Sequence, residues 1–110
     1  MALIYHLLRK DEWEAALEAD QYAPASLEQE GFIHFSTREQ LLPSATRFFP
    51  NDQELIVLEI PEKRLKPHLR YDPTPEGQEF PHYYAPLDLD KVEEVSVLMR
   101  DKAGAWGWGR

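Results

Sequence analysis

The chain has 110 residues, 43% of them apolar and 12% aromatic, which is enough for one compact core and too little for two. The 20 acidic and 12 basic side chains leave a formal charge of −8, the wrong sign for sequence-independent binding to duplex nucleic acid, and no Lys/Arg run of five or more offsets it. Cysteine is absent, which removes disulfides, thiolate catalysis and Cys-based zinc or iron–sulfur sites together.

The N-terminal stretch has neither a basic n-region nor a small-residue cleavage site, and nothing approaches the ~18–20 apolar residues of a membrane span. The expected setting is cytoplasmic, with no membrane contact. Residues 2–8, ALIYHLL, are apolar on both alternating faces and predict a strand buried on both sides, interrupted by His6. KDEWEAALEAD predicts a helix of about three turns, with acidic residues at its start and Trp13, Ala16 and Leu17 on one face. SLEQEG predicts a short helical turn capped by Gly31.

GFIHFS reads as a second strand, with Phe32, His34 and Ser36 on one face and Ile33 and Phe35 on the other. Ser36-x-x-Glu39 and Thr37-x-x-Gln40 both fit a capping box. A helix over STREQLLPSATRFFP should therefore start directly after the strand, with Pro43 in its first turns or dividing it. ELIVLEI, residues 54–60, is the clearest strand. PEKRL suggests a helical turn, HLRYD a short strand and DPTPEGQ a loop. EFPHYYAPL, residues 79–87, contains two prolines without an N–H and is expected at a sheet edge or in a shaped loop. Residues 92–100, VEEVSVLMR, alternate as a final strand.

The expected fold is α+β: a single domain over residues 1–101, built on a split, mostly antiparallel or mixed β-sheet of five or six short strands with two main helices. Residues 102–110 form a Gly/Trp tail, expected to be only partly ordered unless Trp106 or Trp108 docks on the body.

His6, His34 and His82 each sit among apolar or aromatic neighbours, where an imidazole is costly unless its nitrogens find partners. Either they share a cleft, or each is a structural histidine satisfied separately. His68, in KPHLR, reads as a surface residue. Three imidazoles are enough for zinc, but HExxH and HxH spacings are absent and no metal ligand is assigned. GxGxxG, Walker and GxSxG motifs are absent too, which argues against Rossmann dinucleotide binding, P-loop hydrolysis and elbow-type serine hydrolysis. Ser36 and Thr37 are candidate nucleophiles or ligand-binding hydroxyls, although helix capping accounts for them equally well. Glu79 is a candidate catalytic carboxylate and Arg70 a candidate anion clamp; as surface charges they need no function.

Together, IYHLL, SLEQEGFIHFST and EFPHYYAPL resemble a bacterial and plant family known as domain of unknown function 952, over residues 2–98. Its pattern is I-Y-H, a helix carrying Trp, S-L-x-x-E-G-F-I-H-x-S and F-P-H-x-Y-G-P-L; Ala85 stands here where the family has Gly. That family is similar in fold and motif order to the ADP-ribosyltransferase superfamily, which binds NAD in the cleft of a split sheet. The resemblance implies that His6 contacts the ribose of NAD, that His34 with Ser36 supports the nicotinamide, and that Glu79 or His82 completes the site, with Tyr83 or Tyr84 as an aromatic wall. The function it implies is binding of NAD or an ADP-ribose-type nucleotide, as substrate rather than resident cofactor, with transfer of an ADP-ribosyl group. A histidine in place of the acidic group would instead suit a bound phosphate, as in the RNA 2′-phosphotransferase branch. The alternatives are a non-catalytic ligand-binding or interaction module on the same fold and a His-dependent metal enzyme.

Overall fold

A computed structural model describes residues 2–109. Strand β1 (Leu3–Leu8) pairs antiparallel with β4 (Glu54–Pro61), setting His6 opposite Leu58. Strand β8 (Glu94–Arg100) continues the sheet beyond β4, and β9 (Trp106–Trp108) closes it in the order β1-β4-β8-β9. Two smaller sheets complete the β structure. Strands β2 (Gln21–Tyr22) and β7 (Leu87–Asp88) form a short pair; β3 (Ile33–His34), β6 (Glu79–Tyr83) and β5 (Leu69–Pro73) form a three-stranded sheet with β6 in the middle. Every strand pair among the described residues is antiparallel.

The alternation of β1 serves two layers. Ile4 and Leu8 join Leu58, Ile60, Tyr22, Ile33, Phe35 and Tyr83 in one core, bounded by Ala16 of helix α1 (Lys10–Ala19). Tyr5 and Leu7 join Leu55, Val57, Leu98 and Trp106 in the other, covered by Leu41 and Ala45 of helix α3 (Arg38–Phe48). A strand read as apolar on both faces thus lies between two helices, as that pattern requires. At its outer side Tyr5 exchanges two backbone hydrogen bonds with Ser36, at 2.9 and 2.7 Å. This bridge joins the large sheet to the three-stranded one.

Local signals place the helices. Arg9 N–H donates to Glu12 Oε1 at the start of α1 (2.8 Å), and Asp20 ends it in the left-handed region. The short helix α2 (Ala25–Glu30) stops at Gly31, whose φ of 91° explains the glycine. Of the two capping boxes readable before α3, the structure uses Thr37 with Gln40 (Thr37 N–H to Gln40 Oε1, 3.0 Å), and the helix runs through the exposed Pro43 without dividing.

Three expectations need correction. There are nine strands among the described residues, where five or six were expected, because two-residue pairings and the tail add to the count; the α-helices number three with the short α2. Leu17 is 53% exposed, as Ala16 alone of its pair turns into the core. Strand β6, the start of EFPHYYAPL, is central instead of at an edge or in a loop. Pro81 fits there because its carbonyl still accepts from Phe35 N–H, just past β3, at 2.9 Å, so only the return bond that an N–H at 81 would donate is missing, and the β3–β6 ladder ends at His34 and His82. The tail meets the condition set for its order, since Trp106 is buried in the body and β9 pairs with β8.

Candidate functional site

The three-stranded sheet buries one face and leaves the other open. Pro81 and Tyr83 point inward from β6, and Tyr83 lies 4% exposed in the core, so it is not available as an open aromatic wall. Phe80, His82 and Tyr84 alternate to the outer face. Register then builds a row: His34 on β3 is opposite His82, and His82 is opposite Arg70 on β5. Three basic side chains from three strands therefore share one surface of an acidic protein.

Each histidine in the row is held by a carboxylate. His82 Nδ1–H donates to Asp72 Oδ2 (2.8 Å), which also accepts from the Tyr84 hydroxyl. His34 Nε2–H donates to Glu30 Oε1 (2.6 Å). The carboxylates occupy one nitrogen of each ring, leaving Nε2 of His82 and Nδ1 of His34 for a ligand. Aromatic rings frame the pair. Phe32 stacks on His82 with centroids 3.9 Å apart and planes 13° apart, the two imidazoles meet edge to face at 5.3 Å, and the Arg70 guanidinium lies 5.1 Å over the Tyr84 ring.

Burial dominates at His82 and lowers its pKa, opposed by the bond to Asp72. The Asp72 carboxyl is held below its ordinary range, chiefly by the Tyr84 hydroxyl, and the Tyr84 phenol is raised by the same bond. An Asp72→Asn substitution should accordingly lower the His82 pKa further and return Tyr84 toward its ordinary value, because the charge supporting the imidazolium is gone. Imidazole and tyrosine ring chemical shifts followed across pH check both; an unchanged His82 titration would show that the carboxylate does not act on it.

His6 is elsewhere. It lies 7% exposed inside the larger core, with Nδ1–H donating to the carbonyl of His34 (2.5 Å) and Nε2 accepting from the Tyr22 hydroxyl (2.7 Å). Both nitrogens are committed, and burial pushes its pKa down to about 4, so the ring is neutral. It reaches the open face only through the backbone of His34. The three histidines thus do not line one cleft: His34 and His82 share the open face, while His6 positions the strand that carries His34.

The remaining candidates separate from the row. The Ser36 hydroxyl is buried and donates to Ser44 Oγ (3.1 Å), and Thr37 caps α3. Glu79 points away from His82, and its carbonyl accepts from Gln40 Nε2 (2.8 Å). Thr37 and Glu79 both line a groove of about 420 Å³ between α3 and the β5–β6 hairpin. Sequence reading passed over Phe32 and Glu30 as site residues and assigned Asp72 no role. Asp72 was recoverable: a hairpin closed by Thr74 and Gln78 sets residue 72 against 80 and residue 70 against 82. Among the described residues no group of three or more His, Asp or Glu side chains is arranged to hold a metal ion, and no helix is long and apolar enough to cross a membrane.

A family model described as a protein of unknown function (DUF952) matches residues 7–95. The crystal structure of protein CC0527 from Caulobacter crescentus superimposes with a TM-score of 0.87 at 31% identity, covering 96% of this chain and 93% of that one. The solution NMR structure of CC0527 gives a TM-score of 0.83 at 32% identity, covering 96% and 91%. No curated protein matches the chain.

Proposed function

We propose that this chain, which belongs to the family of proteins of unknown function DUF952, binds a nucleotide of the ADP-ribose type, NAD included, on the open face of the β3–β6–β5 sheet and transfers its ADP-ribosyl group. The observation that carries the reading is the His34–His82–Arg70 row, in which a guanidinium and two imidazoles, each with one nitrogen left unbonded by the protein, lie on one face beside aromatic rings. A pyrophosphate offers acceptor oxygens to Arg70, a fixed charge at any pH, and to an imidazole nitrogen that takes up a proton as the anion arrives. The bond from ribose C1′ to nicotinamide would break as an acceptor nucleophile bonds to C1′, and Asp72 and Glu30, already in the cluster, would offset the positive charge that develops on the ribose. The similarity of motif order to the ADP-ribosyltransferase superfamily points to the same ligand.

One observation favours a second reading, binding without transfer. His6, to which the resemblance assigns the ribose contact, has no free nitrogen to make it. Thermal shift with NAD, ADP-ribose and nicotinamide tests the shared part of both readings: NAD or ADP-ribose should stabilise the wild type by several degrees, and His34→Ala with His82→Ala should abolish the effect. Release of nicotinamide from NAD then separates transfer from binding alone. A folded wild type that none of these ligands stabilises would sink both.

A further inference from the structure

The two imidazoles of the open face are held differently. The His34 side chain is 52% exposed and its carboxylate, on Glu30, is equally open, so water competes for the bond between them. The His82 side chain is only 12% exposed. Phe32 covers one face of its ring, stacked 3.9 Å away, so the ring cannot turn without losing that contact. Asp72 is fixed in turn, because the oxygen that accepts from His82 Nδ1–H also accepts from the Tyr84 hydroxyl.

A carboxylate held on Nδ1 selects one tautomer of His82. The proton stays on Nδ1, and the lone pair of the neutral ring lies at Nε2, which bonds to no other group among the described residues. Charged and titratable groups face the ring from every side: Asp72 and Arg70 from β5, His34 from β3, Glu30 from α2 and the Tyr84 phenol beside its own strand. Burial outweighs the carboxylates among them and lowers the pKa, so His82 is neutral at neutral pH. An oriented, neutral imidazole with one unbonded nitrogen has the form of a general base.

We infer that His82 is the general base of the transfer, that Asp72 is its positioning residue, and that the acceptor is water: resting on the ADP-ribose reading above, the chain hydrolyses NAD. Nε2 of His82 takes a proton from water as the water oxygen bonds to ribose C1′. The bond from C1′ to the nicotinamide nitrogen breaks and leaves its electron pair on that nitrogen. The products are ADP-ribose, nicotinamide and the proton, which His82 then releases to solvent. Water is the acceptor that so enclosed a ring admits, since a nucleophile carried on a macromolecule needs a wider approach. The proton that accompanies the bound anion falls to His34, the more open of the two rings.

The test is nicotinamide release from NAD across pH, with water as the only acceptor, for the wild type, His82→Gln and Asp72→Asn. Circular dichroism checks the fold of each, and thermal shift with ADP-ribose checks that each still binds. The wild type should release nicotinamide and ADP-ribose in equal amounts. His82→Gln should lower the rate at least about a hundredfold, while ADP-ribose still stabilises it through Arg70 and His34. Asp72→Asn should lower the rate about tenfold or more, since asparagine can offer an N–H to Nδ1 and shift the lone pair away from Nε2. It should also move the fall in rate on acidification to lower pH, because the charge that supports the protonated ring is gone. A merely structural role for Asp72 would leave that midpoint in place and remove it as the positioning residue. If His82→Gln works at the wild-type rate, or if ADP-ribose stabilises a wild type that releases no nicotinamide, the inference is overturned with nucleotide binding intact. If the wild type neither binds ADP-ribose nor releases nicotinamide, the ADP-ribose reading fails and takes the inference with it.

Discussion

His6→Ala is expected to cost at least about 3 kcal/mol in chemical denaturation, more than any substitution on the open face. The ring is packed against Tyr22 and Phe35 at centroid distances of 5.1 and 5.5 Å, so its loss opens a cavity in the larger core. It also strands two buried partners, the Tyr22 hydroxyl and the His34 carbonyl. Acid should act on the wild type through the same ring. Its pKa is about 4 in the folded protein against 6.5 for the ordinary group, so between those values the unfolded chain holds more protons. Stability is complete above pH 6.5, declines as the pH falls toward 4, and levels off below it; the gap is worth on the order of 3 kcal/mol. His82, also lowered, acts in the same direction, while Asp72 contributes stability that is lost only as the pH falls below its ordinary 3.8. His6→Ala should therefore flatten most of the decline between pH 6.5 and 4. A variant retaining the full slope would show that another group carries it.

The same bond links the core to the open face. Through the carbonyl of His34, His6 fixes the strand that holds one imidazole opposite the other, so its replacement should also weaken a ligand it never touches.

Elements defined by local pattern were legible in the sequence, and contacts set by long-range register were not. The two-sided burial of β1, the capping of α3 by Thr37 and Gln40, and the β-branched β4 each follow from residues within a few positions of one another. His34 and His82 were recognisable as out of place among aromatics, but whether they met depended on β3 pairing with β6 across nearly 50 residues. The answer for His6 lay in Tyr22, 16 residues away. Pro81 misled because proline usually signals an edge. A central strand tolerates it where the ladder beside it ends, and here β3 stops at His34 opposite His82, one pair before Pro81. Asp72 was obscured by Pro73 and Pro75, which suggested a loop from Asp72 onward, whereas β5 runs on to Pro73.

Trp106→Ala should cost about 3–5 kcal/mol, although the residue lies in a segment whose glycines suggest a loose tail. The ring is 7% exposed and packs with Tyr5, Leu41, Leu55 and Leu98 beneath α3. A turn brings it there: Asp101 Oδ1 accepts from the N–H groups of Ala103 and Ala105, and Gly104 takes a φ of 89° that other residues resist. Arg100 then locks the turn to the body. Its guanidinium stacks 4.4 Å over Trp106 while donating to the carbonyls of Phe49, Pro50, Asp52 and Gly104, so the ring both fills the core and shields the cation. The indole Nε1–H, by contrast, is buried with no partner among the described residues. Trp106→Phe removes that stranded donor and keeps most of the packing, so it should cost well below the alanine variant, about 1–2 kcal/mol. Denaturation of the two variants side by side decides the matter. A loss within about 0.5 kcal/mol for Trp106→Ala would return residues 102–110 to the status of a dispensable tail, whereas a large loss with a small one for phenylalanine would make β9 part of the core and assign its contribution to the ring and not to the indole nitrogen.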